Sequence, residues 1–292
     1  MAASISIIGV GRLGGALALA LSKKDYAVRQ LVAHRKDVSE IARLISPPPE
    51  ILASAEFEKI SASIIFITVP DAEIRQTAEK LARTLKHKPF VFHTSGALSS
   101  EILEPLKNIG CPVGSIHPLV SISDAAAGAR SFRNIFFCVE GDCAAAIALA
   151  EKIVADLEGK SFSIPTKFKT LYHAAAVTAS GHLVALFSVA VEMLAACGLP
   201  EAEARKILFP LVESTLKNLS TQKTLAQALT GTFARADVET LKRHLAALRE
   251  NAPAQEILEI YRQLGSRSLH LAEEQGADAE KLAEMRKILM EN

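Results

Sequence analysis

Residues 4–21 read SISIIGVGRLGGALALAL. A short β-type apolar run leads into Gly9, Gly11 and Gly14, spaced GxGxxG, and the glycines open an apolar helical pattern. In this strand–turn–helix context each glycine has a distinct job. Gly9 permits the tight turn, Gly11 lets a pyrophosphate approach the backbone, and Gly14 lets the helix pack close to the sheet. The free N–H groups of Arg12, Leu13 and Gly14 at the helix start then face phosphate. The expected ligand is a dinucleotide. A glycine-rich turn without ligand is the bland alternative, and position and context both argue against it.

The surrounding pattern agrees. β-rich runs occur at Ser4–Val10, Ala27–Ala33, Ser63–Val69, Phe90–Thr94, Val113–Ile116, Asn134–Glu140 and Ser161–Ile164. Helical patterns fall between several of them, at Leu13–Ser22, Asp71–Leu85 and Cys143–Glu158. Strands alternating with helices predict βαβ units and a parallel sheet covered on both faces. The segment Ser46–Glu50, SPPPE, reads as a loop. After Pro165 the strand signal ends and helices follow. A long helix over Ala174–Ala196 stops at Gly198, Pro200 opens the next, Asp237 caps Val238–Arg249, and Gly276 with Asp278 separates the last two. The expected fold is therefore an α/β Rossmann-like N-terminal domain over residues 1–165, followed by an all-α C-terminal domain over residues 166–292.

Composition sets limits on function. The 292 residues carry 33 Lys+Arg against 32 Asp+Glu, so no broad basic face is expected for nucleic acid or an acidic membrane. The four cysteines, Cys111, Cys138, Cys143 and Cys197, form no CxxC pair and no metal-ligand spacing with histidine. No metal is expected, and buried free thiols suit a reducing compartment. The start MAASISIIGVG lacks the basic n-region of a signal peptide, so the expected location is cytoplasmic. The apolar stretch His173–Cys197 contains Thr178, Ser180, His182, Ser188 and Glu192. A buried core helix is expected there rather than a membrane span. The same apolar excess suggests a homodimer formed through the helical domain.

The end of the second strand bears on which dinucleotide binds. An NAD site usually carries an acidic residue there for the ribose 2′-hydroxyl. This chain instead runs into His34-Arg35-Lys36. A basic cluster suits a 2′-phosphate, with Arg35 able to make a forked contact. NADP(H) is the expected cofactor; an exposed basic turn is the alternative.

In an open α/β sheet, ligands gather at the carboxyl ends of the strands. Three segments end strands here: Thr68-Val69-Pro70-Asp71, His93-Thr94-Ser95-Gly96 and Ser115-Ile116-His117-Pro118. Val69, Pro70, Ser95 and Gly96 are expected beside the nicotinamide. His117, with an unperturbed pKa of about 6.5, suits proton exchange with a substrate oxygen or nitrogen. Ser95 could bond the same group. For His117 a loop-anchoring role is equally open, and for His93 it is favoured. Lys169, His173, Ala176 and Ser180 are spaced to share one helix face, which suggests a polar strip over a cleft. Arg235 could bind a substrate carboxylate or make a capping salt bridge with Asp237 or Glu239.

These segments carry a resemblance. IIGVGRLGGALA (7–18), IFITVPDAEI (65–74), HTSGALSSEIL (93–103), GSIHPLVSI (114–122), VEGDCAAAIALAEKI (139–153), YHAAAVTASGHLVALF (172–187) and LTGTFARADVETLKRHLAAL (229–248) resemble a two-domain family of NADP-linked oxidoreductases. Its C-terminal part is the domain of unknown function 2520. The match runs over nearly the whole chain. It departs at Gly181, where the pattern has Asn, and in the loop where Thr232 replaces Pro and Ala236 replaces Gly. More remotely the chain is similar to the 6-phosphogluconate dehydrogenase-like superfamily, which includes pyrroline-5-carboxylate reductases and prephenate dehydrogenases. The Ser95 and His117-Pro118 segments resemble those flanking the reacting carbon in prephenate dehydrogenases. The Lys169/His173 helix resembles the Lys/Asn-bearing helix of hydroxyacid dehydrogenases.

The resemblance and the residues together imply an NADP(H)-dependent oxidoreductase. It would move hydride to or from a carbonyl or imine carbon of a small polar, carboxylated metabolite. His117, Ser95, Lys169 and His173 would serve the chemistry. An NADP(H)-binding regulator without turnover is a second reading, and a deazaflavin-linked NADP reductase a third.

Overall fold

The computed structural model describes residues 3–33 and 38–291, and the chain divides into two compact units, residues 1–180 and 181–292. The expected basic cluster His34, Arg35 and Lys36 lies outside the described residues.

The first unit is built on an eight-stranded sheet. In chain order its elements are β1 Ala3–Ile8, α1 Arg12–Leu21, β2 Tyr26–Ala33, α2 Ser39–Arg43, β3 Glu50–Ala53, β4 Ile64–Ile67, α3 Asp71–Thr84 and β5 Phe90–His93. There follow α4 Glu104–Asn108, β6 Val113–Pro118, α5 Ala125–Gly128, β7 Phe136–Gly141, α6 Ala144–Asp156, β8 Lys160–Phe162 and α7 Lys169–Ala179. The strand order is β3-β2-β1-β4-β5-β6-β7-β8. The order reverses between β1 and β4, and that switch point is where open α/β sheets bind ligands.

The two sheet faces are read from strand alternation. In β4, Ile64 and Phe66 join one core with helices α1 and α6, and Ile65 and Ile67 join the other with α3. All four residues of β4 are buried, as a central parallel strand covered on both faces requires. Ile5 and Ile7 of β1 face the first core and Ile8 the second.

Three local expectations need correction. The sheet is not wholly parallel: β7 runs antiparallel to β6, pairing Gly114 with Gly141 and Pro118 with Phe137. The 17-residue connection between them holds only the four-residue α5, too little for a covering crossover helix. The SPPPE loop ends one residue early, because Glu50 opens β3, a strand the prolines obscured. The thiols are not all buried: Cys111 and Cys138 are, whereas Cys143 and Cys197 are exposed.

The second unit is helical: α8 Gly181–Ala196, α9 Glu201–Thr221, α10 Leu225–Ala228, α11 Gly231–Ala234, α12 Val238–Asn251, α13 Gln255–Glu274 and α14 Ala279–Met290. Its core is Leu241 and Leu245 of α12, Leu269 and Ala272 of α13, and Leu282, Met285 and Leu289 of α14. The stop signals behave as their chemistry demands. Gly198 and Gly276 adopt φ of +91° and +81°, and the Asp237 and Asp278 side chains accept hydrogen bonds from the first-turn N–H groups of α12 and α14.

The long apolar helix departs from expectation twice. Ser180, at φ −120° and ψ −71°, leaves helical torsions, so α7 and α8 are separate elements. Within the helical unit, α8 buries only Val191, so it is not the buried core helix that its composition suggested. The run Thr166–Ala196 is long and apolar enough to cross a membrane by length and composition.

Candidate active site

The glycine turn sits at the carboxyl end of β1, and its packing explains each glycine. Gly9 has φ of +94°, a left-handed conformation that L side chains rarely adopt. A Cβ on Gly9 would lie 2.8 Å from the Val69 backbone nitrogen. A Cβ on Gly14 would run into the Gly9 carbonyl oxygen and Thr68 Oγ1. Thr68 closes the arrangement by donating its hydroxyl to the Gly9 carbonyl at 2.6 Å, with the Ile8 carbonyl at 3.1 Å. A Cβ on Gly11 would meet no heavy atom within 4 Å. The first glycine is required by torsion and the third by packing. The second faces open space, as expected where a ligand approaches.

Gly11 caps α1 without a side-chain hydrogen bond, and the first turn, with Arg12 and Leu13, holds no acidic residue. The positive end of the helix dipole is therefore left for an anion. Val69 and Pro70 continue from β4 beside this turn, and Pro70 is the residue before α3. These residues fit the phosphates of a dinucleotide.

A cluster lies further along the same edge of the sheet. His117 Nδ1 is 2.7 Å from the Tyr172 hydroxyl, and the two rings meet edge to face at 5.6 Å. The His173 ring lies 5.9 Å from that of His117. Gly96 forms the third side, since a Cβ there would come within 2.7 Å of His117 Cε1 and Nε2 and of His173 Cδ2. Burial, then the charges of Lys169 and His173, push the His117 pKa down to about 4. At neutral pH its imidazole is uncharged. The near-neutral titration expected from the sequence is therefore corrected: this histidine sits too deep and too close to positive charge.

Lys169 occupies a different place from the one expected. It is 2 % exposed, donates to Ser115 Oγ at 2.8 Å, and lies 3.7 Å from Glu140 Oε2. It ties α7 to β6 and β7. The helical spacing was read correctly, but the strip at Lys169 packs against the sheet.

Ser95 is also committed elsewhere. Its hydroxyl donates to Asp71 Oδ2 at 2.8 Å and accepts from the Ala97 and Leu98 N–H groups at 3.2 and 3.1 Å. It locks the turn that carries Gly96, and its proton is directed at Asp71. His93 is fully buried. Its Nδ1 accepts from the Ser95 N–H at 3.2 Å and its Nε2 donates to the Ser99 carbonyl at 3.1 Å. Burial is the main reason that its pKa falls to about 3. The anchoring role favoured for His93 is the one its bonds describe.

In the helical unit, Asp237 caps α12 through Thr240, accepting from its N–H at 3.0 Å and its Oγ1 at 2.8 Å. These bonds hold its carboxyl below the usual range, with Arg243 and Arg235 adding through their charge alone.

Sequence reasoning missed Tyr172, Glu140 and Thr68. Tyr172 had a usable signal, because Lys169, Tyr172 and His173 stand at i, i+3 and i+4 on one helix face. Glu140 had none, since only the antiparallel pairing of β7 with β6 sets it opposite Ser115.

Residues 2–118 match a Rossmann-like domain, and residues 135–268 match domain of unknown function 2520. No curated protein matches the chain in sequence. Among solved structures, a provisionally named NADP oxidoreductase of Bacteroides fragilis superposes with a TM-score of 0.74 at 20% identity, covering 92% of this chain and 98% of its own. A Thermotoga maritima protein superposes with a TM-score of 0.71 at 25% identity, covering 93% and 99%. The pyrroline carboxylate reductase of Plasmodium falciparum, solved with NADP bound, gives 0.59 at 10% identity, covering 92% and 98%. The chain thus joins a Rossmann-like domain to a domain of the DUF2520 family.

Proposed function

We propose that this protein is an NADP(H)-dependent oxidoreductase that moves hydride to or from a carbonyl or imine carbon of a small polar, carboxylated metabolite. The observation that carries the reading is the packed turn Gly9–Gly14 at the switch point of the sheet, with Gly14 against the Gly9 carbonyl. The backbone of Gly9, Gly11, Arg12, Leu13 and Gly14 would hold the pyrophosphate, and Val69, Pro70, Ser95 and Gly96 would flank the nicotinamide. His34, Arg35 and Lys36, following β2 in sequence, favour a 2′-phosphate. The Plasmodium neighbour's bound NADP supports the same choice of cofactor.

The dinucleotide supplies or accepts the hydride when bound. The chain's own part is binding, orientation and the proton. His117 exchanges that proton with the substrate oxygen or nitrogen, and His173 lines the same space. In reduction the carbon gains the hydride pair, the π pair moves to the heteroatom, and the heteroatom takes one proton.

The protein works as a homodimer through its helical unit. Leu183 and Val184 of α8 and Phe209 and Leu216 of α9 are exposed and line a hollow of about 790 Å³, and Ile207 and Leu211 of α9 are exposed as well. Apolar patches of this kind mark interfaces. Arg205, Lys206, Glu213 and Lys217 interrupt α9 along its length, which suits a protein partner better than lipid.

Fluorescence titration with NADPH and NADH tests the cofactor. Tighter NADPH binding is expected, equal affinities would remove the NADP preference, and no binding of either would end the reading. Nicotinamide absorbance with a panel of 2-oxo acids, imines and hydroxy acids then tests turnover. Binding without turnover across the panel would point to the regulator instead.

A further inference from the structure

Two histidines end neighbouring strands, and both have Nδ1 in a hydrogen bond. For His93 the assignment is forced, because a backbone N–H can only donate: Ser95 N–H points at Nδ1, and the ring hydrogen sits on Nε2 toward the Ser99 carbonyl. For His117 the partner is a phenol, which could donate or accept. Two arguments choose between them. A phenol is a better donor than acceptor, and an imidazole nitrogen is a good acceptor. Among the described residues, the Tyr172 hydroxyl bonds only to His117, so donation from Nδ1 would leave the phenolic hydrogen of a half-buried group unpaired.

The other edge of the His117 ring has no such partner. Nε2 and Cε1 face the empty Cβ position of Gly96, beside His173. A hydrogen on Nε2 therefore lies against Gly96, which is close-packed on the ring and offers it no side-chain acceptor. Lys169, anchored beneath by Ser115, adds a positive charge that disfavours a second proton on the ring.

We propose that Tyr172 is a positioning residue that holds His117 as the neutral Nε2–H tautomer, so that the site presents an N–H donor and takes a ketone or 2-oxo group. This rests on the oxidoreductase reading for its substrate, but not for its tautomer. An acceptor oxygen with lone pairs matches the donor, whereas a protonated iminium would meet N–H with N–H. In the reductive direction hydride reaches the carbonyl carbon and the π pair moves to oxygen. That oxygen takes the Nε2 proton while the Tyr172 proton shifts to Nδ1; once the alcohol leaves, Nδ1 returns its proton to Tyr172 and Nε2 takes one from solvent, which restores the starting tautomer. The ring never becomes an imidazolium, which suits its burial.

The test is a long-range ¹H–¹⁵N spectrum of histidine-labelled protein, with His117 assigned by its loss in a His117→Gln variant. The wild type is expected to show a single Nε2–H tautomer at His117, and Tyr172→Phe a mixture of tautomers. In Tyr172→Phe, kcat on 2-oxo acids should fall about a hundredfold with the NADPH Kd unchanged. An Nδ1–H tautomer in the wild type overturns the assignment without any variant. An unchanged tautomer in a folded Tyr172→Phe protein overturns it as well. Turnover of cyclic imines with none of 2-oxo acids overturns the substrate class. An Nε2–H tautomer in a protein that binds no NADPH defeats the oxidoreductase reading and leaves the Tyr172–His117 relation standing.

Discussion

The Lys169 ammonium lies 2.8 Å from the Ser115 hydroxyl oxygen, with both residues buried. A buried ammonium needs a countercharge, and Glu140 supplies it at 3.7 Å, an ion pair without a hydrogen bond. Among the described residues the Glu140 Oε2 atom has no hydrogen-bond partner, while Oε1 accepts from the Ser100 N–H.

Lys169→Met should therefore destabilise the protein by about 3–5 kcal/mol, because it strands the Glu140 charge. Adding Glu140→Gln should recover part of the loss. Urea denaturation of the two single variants and the double variant measures this. Additive losses would show that the two groups do not interact.

Gly11 and Gly14 should separate binding from stability. Gly14→Ala forces a methyl against the Gly9 carbonyl and Thr68, costing about 1–3 kcal/mol or more. Gly11→Ala adds its methyl to open space, so stability should hold to within about 0.5 kcal/mol. That methyl stands where phosphate would approach, so NADPH affinity should still fall. Thermal melts and fluorescence titrations on the same samples check both halves.

Acid should weaken the fold in a defined window. His117 and His93 have native pKa values pushed down to about 4 and about 3, below their ordinary 6.5. The unfolded chain therefore takes up protons first as pH falls. Their stability is fully present above about pH 6.5 and is lost as pH drops toward 4 and then 3. His117 alone accounts for on the order of 3 kcal/mol. Denaturation midpoints from pH 7.5 to 4.5 should fall steadily in the wild type and less in a His117→Gln variant.

Ser95 and His117 should differ in kind. Ser95→Ala removes the bonds to Asp71, Ala97 and Leu98 that hold the Gly96 turn, so its melting temperature should fall, with a smaller loss of kcat than His117→Ala shows. His117→Ala should lower kcat by about a hundredfold or more with NADPH affinity little changed. Full activity in His117→Ala would remove its proton role.

The dinucleotide turn was legible from residues 4–21 because its requirements are local. A positive φ at Gly9 and a missing Cβ at Gly14 follow from a strand, a turn and a helix adjacent in sequence. Strand alternation placed Ile64 and Phe66 opposite Ile65 and Ile67 for the same reason. Helix stops at Gly198 and caps at Asp237 were equally local.

The roles of Lys169, Ser95 and Tyr172 depended on contacts far apart in the chain. Spacing put Lys169 on a polar face but could not say that Ser115, 54 residues away, would take its ammonium. Its place at a strand end marked Ser95 as a hydroxyl near the crevice, but could not say that it would donate to Asp71 at the start of α3. His117 was found from its strand end. Its charge state and its Tyr172 partner came from burial and from α7 folding back on the sheet, because hydrogen-bond geometry and desolvation depend on neighbours in space rather than on neighbours in sequence.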